Sequence, residues 1–542
     1  MQPGLHHGHG LLVSVVLFAL LAVAHTWPLA TDPAHLSRND NADTVLNEWT
    51  IAWVAHQAPR DPMHLFDANI FYPDRNTLAY SEHLLVPAVL GAPLLWLGAS
   101  PVLTYNFLVL VGLTLTGWTM SLLMWRWTGD WSAGVISGVL LAFNAHTLTR
   151  LPHVQALHAE FLPLALLAFD RLLRTPRRRT AVLLAFWFAL QGLTSYYLLV
   201  FTMVALVVGC AVRPEDWRDG RARRLLPLLT LAGVLAIAFV TPFLLPYMRL
   251  GIVRPLDEVA HYAATWRDYL ATPARVHYDS WSARWFGGSA ALFPGLTGLA
   301  LAAIALATGT AVFDRRARMA LAFGAAGLAL SFGPALSGYA ALYRWVPLLQ
   351  GIRNAARFGY LVIVAVAVLA GFGVADVRGR WHGARWLQIA TIGVFLAVNL
   401  DAFAAPIEYV RADRVSPLYT QLRLLPNAIV VEFPFYPPDR IFHNAPYLLN
   451  ATGHWRPLLN GYSGIVPASY VEHARELAHF PDARSIAALR ALGVTDVFVH
   501  YQALRDWTGK ETADAVRRSP DLRLFASRGD VGLYELVTPP PR

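Results

Sequence analysis

The sequence predicts a mainly α-helical, polytopic membrane protein with about eleven transmembrane helices, followed by a C-terminal α/β domain outside the membrane. Three observations predict it. Of 542 residues, 56% are hydrophobic and only 15% are charged, against about 25% charged in soluble domains. Apolar runs near the roughly 20 residues that a spanning helix needs recur along the first three quarters of the chain. Beyond residue 404 the composition becomes that of a soluble domain.

The clear spans fall at 11–30, 102–125, 131–148, 155–173, 224–248, 291–312, 317–334, 357–376 and 386–404. Residues 180–212 are also apolar, but one straight helix of that length would be about 50 Å long, too long for a bilayer core. The stretch therefore reads as two short spans that break at Gly192, Leu193, Thr194 and Ser195. Ala22-Val23-Ala24 resembles a signal cleavage site. Residues 1–10 carry no Lys or Arg, however, so the first run reads as a retained helix.

Arginines set the topology. Arg171, Arg174, Arg177, Arg178 and Arg179 flank one loop, and Arg213, Arg218, Arg221, Arg223 and Arg224 fill a second. Arg315, Arg316 and Arg318 mark a third, and Arg378, Arg380 and Arg385 a fourth. Placing all four in the cytoplasm satisfies the positive-inside rule. The N-terminus is then cytoplasmic and the C-terminal domain outside. Residues 84–98 form a short apolar run with Pro87 and Pro93. A crossing there would invert every later loop, so the run reads as interfacial or re-entrant. It belongs to a first outer loop, 31–101, whose Trp49, Trp53, Phe66, Phe71 and Tyr72 suit a membrane interface.

The domains are thus 1–404, transmembrane, and 405–542, extracytoplasmic. In the latter, 428–435, 496–501 and 531–537 read as strands, and 469–480 and 483–492 as helices. Gly493 is a C-cap and Gly529-Asp530 a hairpin turn. The net charge of +9 resides in the arginine loops and indicates no nucleic-acid partner. The single cysteine, Cys210, excludes an intrachain disulfide and a thiolate metal cluster.

Several polar clusters are candidates for chemistry. Asp43 opens a helical pattern in which Trp49 and Trp53 share a face. It suits a general base, and a plain N-cap equally. Asp40 is a weaker second carboxylate in a polar run. Glu82 and His83 suit a hydroxyl-rich ligand or a metal, or merely a helix start capped by Ser81. Arg150, His153 and Gln155 lie between two spans, where polar groups are costly and tend to be functional. His153 and His158 lack the spacing and further ligands of a zinc site. Arg353 and Arg357, four apart, suit a phosphate clamp or snorkelling to lipid headgroups. His454, Trp455, Asn460 and Tyr462 suit sugar stacking and hydrogen bonding, or a packed loop. No P-loop, Gly-x-Ser-x-Gly or His-Glu-x-x-His is present, and Gly371-Phe-Gly373 lacks the context of a nucleotide loop.

The ordered stretches DTVLNEWTIAW, LFDANIFYP with SEHLL, RLPHVQ, LTSYY, GIRNAARFG and HWRPLLNGYSG resemble the GT-C superfamily of membrane glycosyltransferases. That group contains protein mannosyltransferases and lipid A aminoarabinose transferases, and the chain looks like a separate bacterial branch. The resemblance implies a polyprenyl-phosphate-linked sugar donor, an inverting mechanism and a catalytic Asp in the first outer loop. That Asp maps to Asp43, with Asp40 second, and donor phosphate maps to Arg353 and Arg357. Asn41 and Ala42 separate the two carboxylates, so there is no strict Asp-x-Asp. The expected location is a bacterial inner membrane. The acceptor is a glycan, lipid or protein, and membrane lipids are further partners. No cofactor is expected, with a divalent metal left open. The alternative is a non-catalytic flippase or transporter of lipid-linked sugar, or a glycan-binding scaffold; inverted repeats would favour transport, and the sequence shows none.

Overall fold

The computed structural model describes residues 4–38, 42–218, 220–251, 253–287, 290–381, 383–412, 414–425 and 427–537, with side chains from residue 12 onward. Asp40 lies outside the described residues. The protein is mainly helical, and its contacts divide it into two compact units. The first comprises Met1–Asp32 and Asn106–Glu408, and the second Pro33–Tyr105 and Tyr409–Arg542.

Three helical segments among the described residues are long and apolar enough to cross a membrane: Pro101–Thr128, Ala222–Leu250 and Ala355–Arg380. The apolar stretch 180–212 is two helices, Arg178–Thr194 and Tyr196–Ala211, hinged at Ser195. The Leu85–Trp96 helix is about 18 Å long, short of the bilayer core. Small residues let the first unit's helices approach closely. A Cβ on Gly373 would lie 2.1 Å from the carbonyl of Leu301. The glycines that superficially suggest a nucleotide loop therefore serve helix contact.

Three of the arginine-rich loops meet in the first unit. Buried Arg213 binds Asp170 at 2.9 Å and Asp216 at 2.6 Å. Arg316 reaches Asp170 at 3.1 Å and Arg315 reaches Asp216 at 2.7 Å. Each buried charge thus has an opposite partner, as burial requires.

The second unit differs from the sequence expectation in its boundaries. The outer loop, grouped by sequence with the membrane domain, is built into the same unit as the C-terminal segment. The reason is backbone pairing. Strand β1 (Leu36–Ser37) pairs antiparallel with β2 (Val410–Arg411). Phe71 N donates to Asn460 O at 3.1 Å, Tyr72 N to Leu458 O at 3.0 Å, and Leu458 N to Asn69 O at 2.8 Å. The 457–460 segment pairs in turn with β3 (Val430–Phe433), through Val430 N to Pro457 O and Leu459 N to Val430 O. The main sheet has the order β3-β4-β6-β5, with β4 at Asp496–His500, β5 at Leu522–Arg528 and β6 at Val531–Leu536. Strands β3 and β4 are parallel and the rest antiparallel. The expected strands and the Gly529-Asp530 turn are found; the sequence reading omits β5. Its helices are found at Ala468–Glu476 and Ala483–Ala491, and Gly493 follows the latter at φ +72°.

Two expectations about the outer loop are corrected. The Asp43–Gln57 helix does not present its tryptophans to a lipid interface: every residue from Thr44 to Ala55 is buried. A helix apolar and buried all round is a core helix. Phe71 is likewise 1% exposed. It packs where a Cβ on Gly461 would lie 2.5 Å from its ring, so only glycine admits it.

Candidate functional site

In the first unit the helix break at Ser195 places two tyrosines against the segment that precedes the Tyr360–Arg380 helix. Tyr196 Oη donates to Leu348 O at 2.6 Å. Tyr197 Oη accepts from Asn354 N at 3.2 Å, and the Arg357 guanidinium lies 4.5 Å over the Tyr197 ring. The LTSYY and GIRNAARFG stretches are therefore neighbours. Arg353 does not share a helix face with Arg357, because helical structure begins only at Ala355. Its Nε pairs with Glu258 at 2.7 Å, its Nη2 donates to Tyr262 Oη at 2.9 Å, and its guanidinium covers the Tyr262 ring at 4.6 Å. Glu258 thus matches the Arg353 charge. Among the described residues Arg357 has no carboxylate partner.

Arg150 and His153 occupy a tight turn between the short helices Ala145–Leu148 and Val154–Leu157, and Gln155 lies in the first turn of the second. His153 N donates to Arg150 O at 2.8 Å. His146, on the first of these helices, is buried and interacts electrostatically with Arg150, His153 and Arg357. Arg150, His153 and Arg357 therefore all lie within electrostatic reach of His146. Also in this unit, an apolar cavity of about 550 Å³ is lined by Leu199, Met203, Leu206, Gly233, Leu244 and Leu348, among others. Leu348 joins this cavity to Tyr196 and hence to the Tyr197–Arg357 stack.

In the second unit Asp43 is the first residue of its helix, with Ala42 at φ +71° in the N-cap position. Asp43 is therefore not itself the N-cap. Ala42 and Val45 pack with Val102, Ala445 and Leu449, and Tyr462 leans on that cluster. Tyr462 Oη donates to Asp43 Oδ1 at 2.7 Å. A tyrosine donor holds one carboxylate oxygen in a set direction and leaves the charge in place. Along the same helix Glu48 is fully buried, and its Oε1 accepts from Ser37 Oγ at 3.1 Å. Burial pushes its carboxyl up to about 8, slightly opposed by the Ser37 hydrogen bond. Among the described residues no three His, Cys, Asp or Glu side chains gather as a metal-binding group.

No protein-family model matches the sequence, nor does any curated protein. Solved structures do match. Over 98% of this chain and 74% of its own length, the archaeal oligosaccharyltransferase AglB from Archaeoglobus fulgidus, in complex with an inhibitory peptide and a dolichol-phosphate, superposes with a TM-score of 0.55 at 14% identity. The arabinofuranosyltransferase AftD from Mycobacteria gives 0.60 at 17% identity, over 98% of this chain and 41% of its own. The chain thus spans less than half of AftD. ArnT from Cupriavidus metallidurans, bound to undecaprenyl phosphate, gives 0.49 at 15% identity, over 96% and 98% of the two chains.

The chain has the fold of the GT-C superfamily.

On this GT-C fold the remaining sequence candidates divide into groups with different roles. His83 serves local structure: its Nδ1 accepts from Leu85 N at 3.2 Å, and burial pushes it down to about 4, keeping it neutral. Glu82 is half-buried on the preceding turn. Asn460 is corrected from an exposed sugar contact to a sheet element. It is fully buried, its Oδ1 accepts from Glu432 N at 2.8 Å, and its Nδ2 donates to Glu432 O at 2.9 Å. His454 is buried and Trp455 half-buried, stacked on His56 at 4.2 Å. The residues at these positions that sequence reasoning missed are His146, Glu258, Tyr262 and Glu48. Glu48 carried a usable signal, an acid at the centre of an otherwise apolar helical pattern; the others carried none.

Proposed function

We propose that the protein is an inverting glycosyltransferase that moves a sugar from a polyprenyl-phosphate donor to an acceptor hydroxyl at the outer face of a bacterial inner membrane. The observation that carries this reading is the continuity, in the first unit, between an apolar cavity and a cationic group. The cavity reaches Leu348; Tyr196 and Tyr197 follow; Arg357 lies on Tyr197, and Arg357, Arg150 and His153 all act electrostatically on His146. An isoprenoid chain fits the first part and a phosphate the second. AglB was solved with a dolichol-phosphate, and the proposal carries that ligand class to this chain.

In the reaction, Asp43 takes the proton of the acceptor hydroxyl as it attacks the anomeric carbon. The bond from that carbon to the phosphate oxygen breaks. Arg357 and Arg150 stabilise the charge on the departing polyprenyl phosphate, while Arg353, already matched by Glu258, positions Tyr262. About eleven spans with the arginine loops inside complete the topology.

Native mass spectrometry of the Asp43→Asn protein, purified gently with its lipids, tests the reading. A bound mass equal to polyprenyl phosphate plus a sugar supports it. Ordinary phospholipid alone overturns it in favour of a scaffold. An assay of donor consumption separates transfer from transport, because a flippase moves its lipid without cleaving it.

The cavity makes a prediction of its own. Gly233 lines it, and a Cβ there meets nothing within 4 Å. Gly233→Phe fills the space without backbone strain and removes contact with several methylenes. At about 0.8 kcal/mol each, co-purified polyprenyl phosphate falls about tenfold or more. Lipid extraction with quantitative mass spectrometry reads this, at an unchanged melting temperature. Undiminished lipid would place the chain elsewhere.

A further inference from the structure

Within the second unit a cavity of about 530 Å³ is lined by His56, Arg60, Arg423, His454, Trp455 and Arg456. None of these lining residues is acidic. Three guanidinium groups are therefore gathered around one space with no carboxylate in its wall. Backbone carbonyls hold them there: Arg60 Nη1 donates to His56 O at 2.6 Å, Arg423 Nε to Gly453 O at 2.6 Å, and Arg456 Nε to Leu422 O at 3.2 Å. A carbonyl fixes a guanidinium but does not neutralise it, and among the described residues neither Arg60 nor Arg423 has a carboxylate partner. His454 is 2% exposed, its Nδ1 accepts from Arg456 N at 2.9 Å, and its Nε2 has no partner among the described residues. Trp455 adopts φ +59°, a costly conformation for an aromatic residue, and lies flat on His56. Burial, then the neighbouring arginines, push His56 down to about 4 and His454 to about 3, so neither adds charge near neutral pH.

We infer that this cavity binds the anionic group, phosphate or carboxylate, of a glycan. Planar guanidinium groups recognise such oxyanions bidentately, His454 Nε2 adds a polar contact, and the Trp455–His56 pair supplies an aromatic wall for the sugar. The site is distinct from the proposed base. His56 and Asp43 lie 13 residues apart on one helix, about 20 Å along its axis. A ligand that engages both is therefore an extended glycan rather than a small alcohol. Naming that glycan as the acceptor rests on the transferase reading; the anion site does not.

Titration calorimetry on the full-length, detergent-purified Asp43→Asn protein tests the site without turnover. The probes are glucose 6-phosphate, glucuronate, inorganic phosphate and glucose. Glucose 6-phosphate or glucuronate should bind at least tenfold tighter than glucose. Exposed Arg60→Gln and, separately, Arg423→Gln should each weaken that binding at least tenfold, with melting temperature recorded as a control on folding. Equal affinity for glucose, affinity for inorganic phosphate alone, or binding that survives both substitutions would overturn the inference. Because the readout is binding, loss of the transferase reading would show only in the donor-consumption assay.

Discussion

Asp43→Asn should lower turnover by about 10²–10⁴-fold, the usual worth of a positioned general base. The substitution is a clean one. Asparagine keeps the shape, and its carbonyl oxygen still accepts from Tyr462 Oη, which lies 2.7 Å from Asp43 Oδ1. The packing beneath, from Ala42, Val45, Val102, Ala445 and Leu449, is untouched. A carboxylate in the first helical turn contributes only about 0.3–1 kcal/mol through the helix dipole, so melting should shift little. Tyr462→Phe is the companion variant. It keeps the base and removes its donor, and should lower turnover by no more than about 10²-fold, the worth of one charged hydrogen bond. Initial rates of donor consumption check both. Wild-type turnover in Asp43→Asn would remove Asp43 from the mechanism.

The second large effect concerns stability. Glu48 is fully buried, and its carboxyl is pushed up to about 8 by burial. In the unfolded chain the same group ionises near 4.5. Below that pH both states hold the proton and the folded state has its full stability. Between about 4.5 and 8 the unfolded state releases the proton and the folded state keeps it. Stability therefore falls as pH rises through this window, by about 5 kcal/mol at most. Glu48→Gln removes the titration while its Oε1 still accepts from Ser37. The variant should melt higher than wild type at pH 8 and nearly equal to it at pH 4.5. Thermal unfolding of the detergent-solubilised proteins at pH 4.5, 6 and 8 reads this. An unchanged difference between wild type and variant across these pH values would show that Glu48 does not titrate there.

Local properties were legible in the sequence. Hydropathy and run length indicate helices, and 180–212 breaks at Ser195 because a single helix would outrun a bilayer. Alternation marks β3, β4 and β6, and Gly493 and Gly529 mark ends and turns. Strand β5 was missed because LRLFASR lies with Leu524 and Phe525 exposed, so its apolar alternation is weak. The burial of the Asp43–Gln57 helix was also hidden: its tryptophans read equally as a lipid belt or a core. What covers them comes from segments far away in the chain.

The site was legible only as residue types. Asp43 and Tyr462 are 419 positions apart, and no local pattern joins them. Arg353 and Arg357 looked like equals by spacing; Glu258 and Tyr262, on a distant segment, distinguish them. Arg60 and Arg423 gave no motif at all, and the fold brings them to one cavity. Periodicity and hydropathy are sums over neighbours in sequence, so they suffice for elements, break points and fold class. A pairing between distant side chains depends on how those elements pack, and is decided only when burial brings them together.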